Sequence, residues 1–158
     1  MRTPVIGVMG GHVATPETEA LAEELGAAIA RKGWILLNGA RNEGIMAASA
    51  RGASREGGFV VGVHPGHRES MDVAPHLDLV IFSSIGFARN AINAQSSSVL
   101  IALPGGAGTL NEVAFAETFR VPTILLHFDD KGWFGDRVRR AGSIEEAIRM
   151  TEDLLERM

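Results

Sequence analysis

Short apolar runs alternate along the whole 158-residue chain with segments in which apolar positions recur every three or four residues. The runs at 5–9, 34–37, 59–63, 77–82, 99–103 and 123–127 are nearly continuous and rich in Val, Ile, Leu and Phe. Continuous runs of this length predict strands buried on both faces of a parallel sheet. Between them the spacing predicts helices. Thr15 is placed to cap the first, with Pro16 at its first position and Glu17 in its first turn. Leu21, Leu25, Ala28 and Ile29 give it an apolar stripe before Lys32-Gly33 closes it. Further helices are expected over 43–55 and 87–96, and from Thr109 onward with Val113, Ala114 and Phe119 facing inward. The last is expected from Ser143, with Glu146 as its capping-box partner and Ile144, Ala147, Ile148 and Leu155 turned to the core.

Strand–helix alternation with short connections, no linker and no repeat predicts a single Rossmann-like α/β domain over residues 1–158. The expected architecture is a doubly wound, mainly parallel sheet of about six to seven strands with helices on both faces. Ligands in such folds sit at the carboxyl ends of the strands, where strand order reverses. Composition sharpens this point. The chain has 19 glycines where average usage predicts about eleven, and they show no three-residue period. Gly10, Gly11, Gly39, Gly44, Gly66, Gly86, Gly105, Gly106 and Gly108 all fall in predicted strand-to-helix turns. Gly33, Gly57 and Gly58 end helices on the opposite edge, where left-handed caps explain them.

Several functional classes are excluded at this level. With 0 cysteines the chain offers no disulfide, thiolate nucleophile or iron–sulfur ligand. A formal net charge of −4 disfavours nucleic acid and anionic membrane as partners. No apolar run approaches the ~18 residues of a membrane span, and the apolar core after Met1 is too short for a signal peptide, so a cytoplasmic protein is expected. Only Lys32 and Lys131 are lysines, neither placed for a pyridoxal-phosphate Schiff base. Neither G-x-G-x-x-G nor G-x-x-x-x-G-K-[ST] occurs, which argues against a dinucleotide cofactor and a P-loop nucleotidase. His64-Pro65-Gly66-His67, with Asp72 and His76 nearby, matches no common metal spacing, and no metal site is expected there.

The fifth turn carries the chemistry. Leu103-Pro104-Gly105-Gly106-Ala107-Gly108-Thr109-Leu110-Asn111-Glu112 follows a strand and opens a helix. Glycines there let backbone amides converge on an anion, and a helix N-terminus adds partial positive charge. Gly105, Gly106, Ala107, Gly108 and Thr109 are therefore expected to bind a phosphate. The Thr109-x-x-Glu112 spacing also fits a capping box, which leaves two readings of that pair.

The nine residues Pro104 to Glu112 resemble the PGGxGTxxE signature of the Lonely Guy (LOG) family of nucleoside 5′-monophosphate phosphoribohydrolases, often mislabelled lysine decarboxylases. The family's catalytic arginine lies fifteen residues before the motif's proline, and Arg89 stands fifteen residues before Pro104. The resemblance implies Arg89 and Glu112 as catalytic residues. Glu112 would hold the ribose hydroxyls, and Arg89 would orient the substrate. It further implies Gly10, Gly11, Gly39, Gly44, Met46 and Asn90 as ligand-binding residues, and Arg41, where the family has glycine, is expected to reach the ligand phosphate from the second turn.

The second turn is a degraded GGGxxGLMG, with Ala40-Arg41 in place of two glycines, and Asn90 stands where the hydrolases have lysine. Gly86-Phe87-Ala88-Arg89-Asn90 is more similar to a shorter branch that includes molybdenum cofactor carriers, which bind a phosphorylated pterin without hydrolysing it. Hydrolase, non-catalytic carrier and nucleotide sensor all remain open. The ligand expected is a nucleoside monophosphate or a molybdopterin-type molecule, with no required cofactor. The resemblance also implies a homodimer or homotetramer, for which the small residues Ala47, Ala48, Ala50 and Ala53 offer a close-packing face.

Overall fold

The computed structural model describes residues 2–158. Its seven strands are β1 (Val5–Met9), β2 (Ile35–Asn38), β3 (Val60–His64), β4 (Leu79–Phe82), β5 (Val99–Ala102), β6 (Thr123–Leu126) and β7 (Arg139–Ala141). All neighbours pair in parallel, in the order β4-β3-β2-β1-β5-β6-β7. This is a doubly wound, Rossmann-like α/β sheet. The helices are α1 (Pro16–Arg31), α2 (Gly44–Arg55), α3 (Arg89–Ser96), α4 (Ala107–Thr118) and α5 (Ile144–Glu156).

Alternating strand residues feed two cores. Ile6, Val8, Leu36, Val60, Ile101, Ile124 and Leu126 pack against α1, α2 and α5. Met9, Leu100, Ala102 and Leu125 pack against α3 and α4, together with Phe128, Phe134 and Val138. Burial of both faces explains the unbroken apolar runs. The small-residue face of α2 is used inside the chain. A Cβ at Gly26 of α1 would come within 2.9 Å of the Ser49 carbonyl carbon, and one at Gly52 within 2.6 Å of the Glu23 carbonyl carbon. Ala48, Ala50 and Ala53 are fully buried in that packing, so they are not available to a second subunit.

Several boundaries differ from the sequence reading for local reasons. The run at 77–82 pairs as a strand only from Leu79. The helix expected at 87–96 opens as a 3-10 turn, Gly86–Ala88, before α3. In α4, Ala114 is exposed, while Val113 and Ala116 are buried. Gly33 and Gly57 have positive φ (72° and 71°), as left-handed helix ends require, but Gly58 does not. Ser143 caps α5 by accepting from Glu146 N at 3.1 Å, while the Glu146 carboxylate accepts from Gly142 N, one residue short of a reciprocal box.

Candidate functional site

The reversal of strand order lies between β1 and β5, and the turns after these two strands are sewn together. Leu103 N donates to Met9 O (2.8 Å) and Gly11 N donates to Pro104 O (3.0 Å). Ile45 N of α2 donates to Gly11 O (3.1 Å), which fixes the second turn against the first. A Cβ on Gly105 would run into Thr109 Oγ1 and come within 2.8 Å of the Gly11 amide nitrogen, so only glycine fits.

α4 starts inside the motif, at Ala107, with Gly106 as a cap that offers no side chain. The first bond into the helix runs from Leu110 N to Gly106 O (3.1 Å). Among the described residues the amides of Ala107, Gly108 and Thr109 have no acceptor. Residues 105–108 are exposed. A 12-residue helix thus presents its bare positive end at the carboxyl edge of the sheet. The capping-box reading of Thr109 and Glu112 falls here. Thr109 is the third residue of the helix, not its cap, and Glu112 lies a turn further in, buried beside α3.

Arg89 opens α3, and only 6% of its surface is exposed. Its guanidinium donates to Asn90 Oδ1 through Nη1 and to Gly39 O through Nη2 (3.4 Å). Glu112 Oε1 accepts from Asn93 Nδ2 (3.2 Å) and lies 3.8 Å from Arg89 Nη1. Asn93 is the residue four positions after Arg89, on the same helix face. Burial pushes the Glu112 carboxyl up to about 7, and the opposing pull of Asn93 and the Arg89 charge is weaker. Burial also lowers Arg89, with Glu112 opposing and the nearby Arg41 charge adding to the shift. Among the described residues, Arg89 Nε and Asn93 Oδ1 are buried without partners. Asn90 Nδ2 donates to Asn111 Oδ1 (3.0 Å), tying α3 to α4.

The second turn is held by groups that sequence reasoning missed. Asn38, fully buried, donates through Nδ2 to Met46 O (2.9 Å) and Ser49 Oγ (3.2 Å) and accepts from Ala40 N (2.9 Å). That bond holds Ala40 in the left-handed region, at φ 66°, where the family signature has glycine. Arg41 Nε donates to Asp72 Oδ2 (2.7 Å), and Nη2 donates to Glu43 Oε1 (3.0 Å). Asp72 in turn pairs with the buried His64 (3.0 Å), while His67 sits exposed with Glu69. Nothing in the spacing announces Asp72, which is 31 residues from Arg41.

These elements enclose a cavity of about 370 Å³. It is lined by Gly10, Gly11, Gly39, Arg41, Met46, Arg89, Asn90, Gly106, Ala107, Gly108, Thr109 and Glu112, all sequence candidates. Gly44 and Gly105 do not line it. Gly44 instead packs against the His12 carbonyl, and Gly105 borders an adjoining cavity of about 350 Å³ between the first and fifth turns. Val8, Met9, His12 and Phe87 complete the lining and were not singled out in the sequence. A larger groove of about 710 Å³ runs between α1 and α5, but among the described residues none of its polar lining side chains is buried, and Lys32 pairs with Glu152 on the surface.

Comparison with known proteins places this architecture among relatives of two kinds. Residues 3–153 match the profile of the SLOG cluster4 family. The molybdenum cofactor binding protein of Rippkaea orientalis superposes with a TM-score of 0.93 at 40% identity, covering 98% of this chain and 99% of that one. The Moco carrier protein of Chlamydomonas reinhardtii gives 0.90 at 36% identity, covering 99% and 100%. The cytokinin riboside 5′-monophosphate phosphoribohydrolase of Mycobacterium tuberculosis is 40% identical over 120 residues, covering 69% of this chain and 64% of that enzyme. The match therefore spans less than two thirds of the enzyme's own length.

Proposed function

The chain belongs to the SLOG cluster4 family, and we propose that it is a ligand-binding domain that carries a phosphorylated molecule of the molybdopterin type without turning it over. One observation carries this reading. The uncapped start of α4 turns the amides of Ala107, Gly108 and Thr109 toward a cavity whose wall holds the buried Arg89 guanidinium. A phosphate monoester supplies the acceptors and the negative charge that these groups lack. Gly10, Gly11 and Gly39 keep the facing turns low, so backbone approaches the ligand closely. Gly105 holds the cradle's shape and Gly44 joins the second turn to the first. Arg89 provides the counter-charge, and Asn90 and Met46 flank the bound molecule.

Glu112 fits carriage as well. A carboxyl at about 7 is partly protonated near neutral pH, so it can donate a hydrogen bond to an anionic ligand instead of repelling it. The carrier and cofactor-binding relatives, which match this chain along nearly its full length, support the same choice. To test it, the purified protein is denatured, and the released material is examined for pterin fluorescence and for molybdenum. Carriage predicts both in the supernatant. Their absence after expression in a cofactor-producing host contradicts it.

Hydrolysis is the second reading, favoured by Arg89 and Glu112 sharing one cavity. Cleavage of an N-ribosyl bond passes through an oxocarbenium-like sugar, which a carboxylate beside the ring stabilises. A group titrating near 7 is also suited to moving a proton at neutral pH. Release of ribose 5-phosphate from a panel of nucleoside 5′-monophosphates, abolished in Arg89→Ala, would favour this reading over carriage. A homodimer or homotetramer is part of the proposal. Exposed Leu79, Ile81 and Ile85, in and after edge strand β4, supply apolar surface for a second copy.

A further inference from the structure

Resting on that phosphate-binding reading, we infer that Arg41 reads the ring of the ligand. Its Nη1 donates to the ring carbonyl oxygen of a pyrimidinone-fused heterocycle, such as a pterin or guanine, and discriminates against rings such as adenine that carry an amino group in its place.

Two of the three guanidinium nitrogens are already engaged. Nε is bound to Asp72 and Nη2 to Glu43, while among the described residues Nη1 has no partner. Arg41 lines the cavity. Two carboxylates flank its single positive charge, so it makes a poor seat for a second phosphate. They leave it a pre-oriented donor suited to neutral acceptors.

That orientation is built in from behind. His64 is 2% exposed, and its Nδ1 accepts from Gly66 N (2.9 Å). The bond fixes the tautomer, so Nε2 carries the proton and donates to Asp72 Oδ1 (3.0 Å). Asp72 O also accepts from Asn42 N (2.6 Å), and Ala40 O accepts from Ala74 N (2.8 Å). The turn bearing Arg41 is thus clamped on both sides, and the cost of ordering the side chain falls on folding instead of on binding.

The neighbouring lining fits a planar ring. Met46 and Phe87 face the same cavity, from α2 and from the 3-10 turn before α3. Phe87 is 73% exposed, an unusual position for a phenyl ring that a stacked heterocycle would cover. With the faces of the ring on Met46 and Phe87, its edge meets Arg41. Guanine presents a carbonyl oxygen there, and the pyrimidinone ring of a pterin presents the same acceptor. Adenine presents an amino group, donor against donor.

Calorimetric titration of the full chain with GMP, IMP, AMP and ribose 5-phosphate tests this. The wild type is expected to bind GMP and IMP about tenfold more tightly than AMP. Arg41→Met is expected to bring that ratio to about one. Asp72→Asn, which keeps the shape but weakens the hold on Arg41, is expected to give an intermediate ratio. A wild-type ratio near one overturns the inference, as does an equal loss for all four ligands in Arg41→Met. If Arg41→Met does not fold, an unchanged ratio in Asp72→Asn overturns it. Failure of ribose 5-phosphate to bind the wild type overturns the underlying phosphate seat instead.

Discussion

Arg89 Nη1 and Glu112 Oε1 face each other at 3.8 Å, from two helices that follow different strands, with both residues only 6% exposed. At that separation the pair attracts, yet burial still raises the carboxyl to about 7. The acid therefore neutralises the guanidinium only in part near neutral pH. A positive group is left in the wall of the cavity, with its Nε unpartnered. An anionic ligand is the natural complement.

The same shift sets a pH dependence of stability. Glu112 rises from 4.5 to about 7 on folding, so the native state holds a proton that the unfolded chain has released. Its stabilising contribution is fully present below about 4.5, falls as pH rises through about 7, and levels off above. The predicted loss between these limits is on the order of 3 kcal/mol. Urea denaturation at pH 4.5 and pH 8 measures it, and Glu112→Gln should remove that part of the slope.

Gly105 and Gly108 separate folding from binding. A methyl at Gly105 meets Thr109 and the Gly11 amide, so Gly105→Ala is predicted to destabilise by about 2 kcal/mol. At Gly108 nothing lies within 4 Å and the residue is helical, so Gly108→Ala is predicted to add about 0.5–1 kcal/mol of stability. Its methyl enters the cradle, however, and phosphate affinity should fall in the more stable protein. Thermal denaturation and calorimetric titration of both variants give the comparison.

Close packing of α1 on α2 predicts a separate sensitivity. A Cβ on Gly52 runs into the Glu23 carbonyl, a backbone group that cannot rotate away. Gly52→Ala should destabilise by about 2–3 kcal/mol through forced separation of the helices. Gly33→Ala, at φ 72° with open space around it, should cost only about 1 kcal/mol of backbone strain. Equal effects in urea titrations would contradict the packing account.

Asn38 is the hidden support of the second turn. Asn38→Asp exchanges two buried donors for a buried carboxylate facing Met46 O and Ser49 Oγ. A loss of about 3 kcal/mol is predicted at neutral pH. Because the lost bonds to Met46 O and Ser49 Oγ tie the turn carrying Arg41 to α2, ligand affinity should fall further than Arg41→Met alone would cause.

The alternation of buried strands and helices was legible because both faces of this sheet are covered, and apolar continuity follows directly from that. β7 was not, since Arg139 and Arg140 break the apolar pattern on an edge strand of 3 residues. The start of α4 was misread because Thr109 and Glu112 have the spacing of a capping box, while the helix takes Gly106 as its cap and needs no side chain there. The glycine turns and the Arg89–Glu112 pair were visible in a contiguous motif and a fixed spacing. The clamp on Arg41 was not, because His64 and Asp72 join it through tertiary contacts, and neither was Phe87, whose exposure is a property of the folded surface.

The most direct test of the phosphate seat is the amide spectrum of isotopically labelled protein during titration with ribose 5-phosphate. The largest downfield shifts are expected on Ala107, Gly108 and Thr109, whose N–H groups gain an anionic acceptor, and Arg89→Met is expected to weaken the response. Saturable shifts confined to the groove between α1 and α5, with α4 unmoved, would contradict the phosphate seat.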